Sequence, residues 1–459
     1  MESKKKNFTG GAYREIQRPR IPDTFHYGEI VSWKFRESIT PITRNHTFAY
    51  RFCLYFESGD FCNKEIGGFS SKMEALKARE ITIFELQNRS YIPFEYTVQE
   101  FYSYYLYYYL PDEKHISYQT FCSYRNAIKY LFSYINPNTK LIKLNQEDIF
   151  KVLNAISSDK QKKNVSDIIK VSLNVAKTKH LIPYNPAIYA VKKIKLSMKS
   201  ELQKKMKEGT ISYERKVYPV LTVNEIGRLL LECKESEPDL YLPLLLGISS
   251  GCRISELIAL TYDDIDIWNH EIHITKQLGR QIYNTEEAHR ENRVISTEIP
   301  TKTKSGCRKI PLSDLAYEEI LLARMRYEES KKTNPNFHDN NYICCKANGM
   351  PYHRGSFHAP FQQLLKKCNL PHMRWHDLRH TFATILNENE VNMKALALVM
   401  GHRDPTITKD VYINPKIEAV DCSMQVNRFL ETINFQTSTV QNPILELPDY
   451  HVYLGNIWK

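Results

Sequence analysis

Along TFAYRFCLYF (47–56), apolar and polar residues partly alternate. A period-two pattern rich in aromatic side chains predicts a strand. The turn-forming Ser58-Gly59-Asp60 comes next, and FCNKEIGGF (61–69) is the expected partner strand. The period then changes. Ala75, Leu76, Ile83 and Leu86 recur at helical spacing over about 72–88, behind Ser70 or Ser71 as cap and with Glu74 placed for a capping box. From 93 to 186 the pattern stays helical, with helices expected over 117–135, 145–157 and 161–180, closed by Pro183 and Pro186. Tyrosines crowd 102–109 (YSYYLYYY) and read as buried helix faces, with base stacking the lesser alternative. The last domain begins near 217, with a new helix capped at Thr222, and mainly helical periods follow.

The predicted fold class is therefore α+β and multidomain. It comprises a small β-sheet/helix module (46–90), a helical domain (91–187) and a mainly helical last domain with a small antiparallel sheet (217–459). A length of 459 residues agrees with about three domains. Residues 1–45 are polar and basic with weak periodicity. Residues 188–216, short of large apolar side chains after Leu196, read as a basic linker. No run of about 18 apolar residues is present, so no membrane-spanning helix is expected. Ten cysteines without a CxxC pair argue against a zinc ribbon or disulfide scaffold and for a reducing, cytoplasmic setting.

Charge sharpens the picture. The net charge is +11, and the stretch Lys160–Lys216 holds 15 Lys and Arg against four acids, Asp167, Glu201, Glu208 and Glu214. The rest of the chain carries 48 charges of each sign, so the whole excess is internal. Such a block suits a polyanion such as nucleic acid, or else forms a solvated helical face and linker.

Four stretches of the last domain carry candidate chemistry. In GISSGCRISELIALTYDDIDI (247–267), Gly251 ends one helix and Arg253 begins the next. IPTKTKSGCRKIPL (299–312) reads as a β-hairpin with Lys302 and Lys304 at its tip. In WHDLRHTFATIL (375–386), His376 and Arg379 share a helix face. The His376/His380 pair lacks the glutamate of an HExxH zinc site. In ALALVMGHRDPTITKDVYIN (395–414), a helix ends at Gly401, His402 follows, and Tyr412 comes ten residues later. Each is weak alone. Together they are what an in-line attack on a phosphodiester needs. Guanidinium groups hold the phosphate, a histidine moves a proton, a lysine protonates the leaving oxygen and a tyrosine forms the covalent intermediate.

In that order, Arg…Lys…His-x-x-Arg…Gly-His…Tyr, the motifs resemble those of the tyrosine recombinase (phage integrase) family over about 217–414. GGFSSKMEALKAREITIFE resembles the arm-DNA-binding module of phage and conjugative-transposon integrases, and the helical 93–186 region resembles their core-DNA-binding domain. The resemblance implies that Arg253 and Arg379 clamp the scissile phosphate and that His376 accepts the proton of the nucleophile Tyr412. It implies that His402 bonds the phosphate and that Lys302, in preference to Lys304, is the general acid. It implies a 3′-phosphotyrosyl intermediate, with no cofactor and no metal. The implied function is integration and excision of a mobile element. The implied partners are double-stranded attachment sites, a homotetramer on DNA and an accessory excision or host DNA-bending protein, in the bacterial nucleoid and not at a membrane. The alternative is a non-catalytic DNA-binding protein that keeps the fold. Two departures stand out: the long stretch 276–300 before the lysine tip, and about 45 residues after Tyr412, of which FLETINF is a candidate subunit contact or local helix.

Overall fold

The computed structural model describes residues 21–42, 46–208, 218–290, 296–389, 391–401 and 428. The chain divides into two compact units, Met1–Tyr213 with Arg280–Val294, and Glu214–Gly279 with Ile295–Lys459.

The first unit begins with a four-stranded antiparallel sheet of β1 (Ile30–Phe35), β2 (Thr40–Ile42), β3 (Thr47–Phe56) and β4 (Phe61–Phe69). β3 is central, with β4 along one edge and β1 and β2 sharing the other. β1 and β2 lie within the basic segment 1–45, where periodicity is weak. A register shift between Ile30 and Ser32 breaks the alternation of IVSWKF, which hides the strand from periodicity. Helix α1 (Lys72–Gln87) follows. The Glu74 N–H donates to Ser71 Oγ at 3.2 Å, and the Glu74 carboxylate accepts from the Ser70 N–H at 2.9 Å. Ala75, Thr82 and Leu86 form its buried face, and the hydroxyls of Tyr50 and Thr82 share a 2.7 Å bond that ties helix to sheet.

Next come α2 (Val98–Tyr104), a π-helical turn (Tyr105–Lys114), α3 (Tyr118–Phe132), α4 (Gln146–Asn154), α5 (Asp159–Thr178) and α6 (Ala187–Lys207). The tyrosine tract is core: Tyr102, Tyr104, Tyr105 and Tyr107 are all buried. The Tyr102 hydroxyl is kept satisfied by Ser172 at 3.1 Å. Helix α6 corrects the expected linker at 188–216. Ala187, Ala190, Val191 and Ile194 bury one stripe, while Lys192, Lys193, Lys195 and Lys199 lie exposed. Beyond Ile194 no residue of α6 is fully buried, so the basic block stands out as a helical face.

The second unit contains α7 (Val223–Ser236), α8 (Pro238–Ser250), the short α9 (Ile254–Leu257), β5 (Ile265–Asp266), β6 (Glu271–Ile274) and β7 (Lys276–Gly279). After a helix α10 (Thr285–Arg290) it resumes with β8 (Thr297–Pro300), β9 (Arg308–Pro311), α11 (Asp314–Thr333), α12 (His358–Lys367), α13 (Trp375–Glu388) and α14 (Met393–Met400). Helix α8 is apolar all round, and α7, α11 and α13 pack about it. Two small antiparallel sheets replace the one expected: β5-β6-β9 and β7-β8. They also correct the hairpin at 299–312. Its first arm pairs with β7 and its second with β6, so the two arms belong to different sheets. The lysine-bearing stretch between them is a loop with a 3-10 turn at Lys304–Gly306.

Residues 280–294 leave the second unit and fold with the first, which corrects the assignment of all of 217–459 to one domain. The backbone of this excursion pairs with the turn after Lys114: Tyr118 N–H donates to the Arg280 carbonyl at 2.9 Å and Ile282 N–H to that of Ile116 at 3.0 Å. Asp112 accepts from the Thr285 N–H and hydroxyl at 3.2 and 2.9 Å, which holds the start of α10. Ile282 and Ala288 are fully buried in the helical core. Ile282→Ala is expected to lower the stability of this unit by about 3 kcal/mol, read as a lower urea midpoint with an unchanged slope. A midpoint equal to wild type would mean that the excursion is not docked.

Candidate active site

The site is built from backbone ends. Helix α8 stops at Gly251, whose φ of +59° suits glycine, and a Cβ there would lie 2.4 Å from Phe382 Cδ1. The chain turns and starts α9 at Arg253, whose backbone N–H is held by the Glu256 carboxylate at 3.0 Å. Helix α14 stops in the same way at Gly401, with φ +62°, where a Cβ would meet the Ser305 carbonyl oxygen at 2.8 Å. The lysine loop thus abuts the residue just before His402.

Three guanidinium groups converge on the last carbonyls of α14, at the negative end of its dipole. Val399 accepts from Arg308 Nε at 2.6 Å, Met400 from Arg379 Nη2, and Gly401 from Arg253 Nη2 at 3.4 Å. Arg379 also donates through Nη1 to the Gly251 carbonyl at 2.6 Å, so one side chain ties both left-handed helix ends together. It is only 3% exposed. Burial first, then the charges of Arg253 and Arg308, push its pKa down to about 9, and it stays protonated at neutral pH.

Glu256 sits between two of these cations. Its Oε1 accepts from Arg253 Nη1 at 2.7 Å and its Oε2 from Arg308 Nη2 at 2.9 Å. Burial alone would raise its carboxyl, but Arg308 and then Arg253 hold it below the usual value, so it is ionised. Arg253 is the more open of its two partners, with 36% of its side chain exposed against 5% for Arg308.

His376 lies in the first turn of α13, one turn before Arg379. That turn is fixed by Asp377, which accepts from the Arg374 N–H at 2.8 Å and from its guanidinium at 2.6 and 3.1 Å. The His376 ring meets solvent on one side and His380 on the other, with ring centroids 5.4 Å apart. His380 in turn stacks on Tyr218 at 4.0 Å. Partial burial, then His380 and Arg379, push the His376 pKa down to about 4. At pH 7 its imidazole is neutral and can accept a proton. The unfolded chain binds that proton more readily, so this group's contribution to stability is complete above about 6.5 and lost as pH falls towards about 4. In NMR of protein carrying ¹³C-labelled histidine, the resonance missing from His376→Gln is expected to titrate well below 6.5. A midpoint at or above that value would rule out a neutral base poised before DNA binds.

Of the residues singled out in the sequence, Arg253 and Arg379 thus meet at the end of α14, and His376 lies one helical turn from Arg379. Lys302 is exposed on the adjoining loop. His402 and Tyr412, and the tail with FLETINF, lie outside the described residues. Sequence reading missed Glu256 and Arg308. Glu256 had a signal, a carboxylate three residues past a helix start. Arg308 shares the inward face of β9 with Ile310, which alternation marks, but a cation there looks like a surface residue.

Residues 219–418 match the phage integrase family. The transposase from transposon Tn916 of Enterococcus faecalis is 29% identical over 215 residues, 45% of this chain and 50% of that protein. A tyrosine recombinase XerC-like protein of Caldanaerobacter subterraneus subsp. tengcongensis is 26% identical, over 37% of this chain and 44% of its own. The chain therefore spans about half the length of these curated relatives. Among solved structures, the Tn1549 transposon integrase in complex with a circular intermediate DNA shares the fold. It has a TM-score of 0.51 and 21% identity, over 72% of this chain and 98% of that one. Among the described residues, no helix is long and apolar enough to cross a membrane.

Proposed function

We propose, from the match of residues 219–418 to the phage integrase family, that this chain is a tyrosine site-specific recombinase that integrates and excises a mobile element. The observation that carries the reading is the meeting of Arg253 and Arg379 at the end of α14, with the neutral imidazole of His376 one helical turn away. Two guanidiniums held this way form a preorganised seat for a phosphodiester, needing little rearrangement as charge builds on its equatorial oxygens.

The reaction follows from the groups. The phenol oxygen of Tyr412 attacks phosphorus, forming a P–O bond to tyrosine, while the P–O5′ bond breaks. The phenolic proton passes to His376. A lysine of the 302–304 loop gives a proton to the departing 5′-oxygen. Arg253, Arg379 and His402 hold the phosphate throughout. The ester keeps the energy of the broken bond, so a 5′-hydroxyl from a second strand reverses the step without ATP.

The remaining assignments follow the same reading. The exposed lysines of α5 and α6 face the phosphates of the core site. The β1–β4 sheet with α1 takes a separate arm site. Four copies assemble on paired sites, with an accessory excision or DNA-bending protein setting direction. The names of the similar proteins, a Tn916 transposase and a Tn1549 integrase, support a mobile element as the DNA moved. The test is to incubate the full chain, in EDTA, with nicked duplexes carrying the element's ends and to look for a covalent adduct on a denaturing gel. An adduct is expected. Tight binding without an adduct would favour a DNA-binding protein that has kept the fold.

A further inference from the structure

Arg308 is a cation with only 5% of its side chain exposed. Each of its three nitrogens is committed: Nε to the Val399 carbonyl at 2.6 Å, Nη1 to the Gly306 carbonyl at 3.0 Å, and Nη2 to Glu256 at 2.9 Å. These three acceptors belong to three different parts of the site. Val399 is in the last turn of α14, Gly306 closes the lysine loop, and Glu256 also holds Arg253. The neighbouring Lys309 points the other way and pairs with Glu271 near the surface, so inward placement is specific to Arg308. A planar fork with separated donors suits three acceptors in different directions. A lysine ammonium in the same place has a single nitrogen and cannot span them.

The loop is not tied down by a ladder between its own arms. Its arms belong to different sheets, so no cross-strand ladder joins them. Its internal bonds are local, from Gly306 N–H to the Thr303 carbonyl at 2.8 Å and from Thr301 Oγ1 to the same carbonyl at 3.0 Å. Arg308 is the described side chain that ties the loop to both α14 and the Glu256–Arg253 pair.

Resting on the recombinase reading above, we propose that Arg308 is the positioning residue of the general acid, fixing the lysine loop so that its ammonium group meets the departing 5′-oxygen. The role is distinct from clamping the phosphate: the three bonds turn the guanidinium toward protein acceptors, and only 5% of the side chain is exposed. It predicts a defect confined to the step that needs a proton. A 5′-bridging sulfur leaves as a thiolate and needs no acid, so it separates proton delivery from everything else.

The test compares two nicked duplexes that differ only in the scissile linkage, oxygen or bridging sulfur. Single-turnover adduct formation is followed with the full chain and its Arg308→Lys and Arg308→Met variants. Both variants are expected to lose about 100-fold on the oxygen linkage and under about threefold on sulfur. Lys302→Ala and Lys304→Ala identify the acid, as the one that sulfur rescues. Adding Arg308→Lys to that variant is expected to cost nothing more on oxygen, because both changes disable one step. Equal losses on the two linkages, no loss on either, rescue of neither lysine variant, or an additive double variant would each overturn the assignment. If Arg308→Met does not fold, the charge-conserving Arg308→Lys carries the comparison alone. A wild-type chain that forms no adduct on either duplex would sink the recombinase reading beneath it. An active wild type with any of the adverse patterns would sink the role of Arg308 only.

Discussion

Tyr412→Phe is expected to abolish covalent attachment to DNA, by at least about ten-thousand-fold, while leaving DNA affinity within about twofold of wild type. The change removes a single oxygen atom. On the proposed mechanism that oxygen is the nucleophile, the one atom of the side chain that bonds to phosphorus. Affinity, on the proposed reading, comes from phosphate contacts of the exposed lysines on α5 and α6, which the substitution does not change. The two readouts are a denaturing gel for the adduct and a filter or mobility assay for binding, at one stated salt concentration. Residual adduct in the variant would move the nucleophile elsewhere. A parallel loss of binding would mean that Tyr412 has a structural role.

The second large effect is expected at Arg379. Arg379→Ala leaves the carbonyls of Gly251 and Met400 without their donor in a buried place. Together with removal of a buried cation from beside Glu256, this is expected to cost about 3 kcal/mol, or a melting temperature lower by about 10 °C for a unit of this size. Arg379→Lys separates the chemistry from the scaffold. It keeps the charge and most of the volume but has no second arm to bridge the two helix ends and still present a donor to phosphate. Adduct formation is expected to fall about 1000-fold in this variant with a melting temperature nearer wild type. Full activity of Arg379→Lys would mean that Arg379 acts as structural glue alone.

Much of this arrangement can be read before any coordinates, because the signals are local. Strands 47–56 and 61–69 are marked by alternation and a turn, and the α1 start by serine and Glu74. Arg253 and Arg379 are legible because each lies beside a helix boundary or on a helical face with apolar neighbours. What stayed hidden depends on distant partners. Periodicity counts Arg308 and Arg379 as polar and so as outward, while their burial comes from carbonyls nearly a hundred residues away or more in the chain, as with Arg308 and Val399 or Arg379 and Gly251. The basic stretch after 187 looked like a linker because it lacks large apolar residues. Yet lysine, leucine, methionine and glutamate are good helix formers, and four small or branched side chains anchor its first half. The arms of the lysine loop looked like one hairpin because nothing in IPTKTKSGCRKIPL reveals that each has another strand beside it.

Residues 280–294 carry a consequence for modularity. The family match at 219–418 encloses a stretch that completes a different hydrophobic core. The borders of ancestry and the borders of folding therefore do not coincide in this chain. A fragment trimmed to the match would display Ile282 and Ala288 to water and leave the helical unit with a gap where they belong. A chimera that exchanged the catalytic segment for one lacking this stretch would damage the part it left behind. Residues of the first unit thus lie on both sides of residues of the second along the chain, so a single cut would not part them.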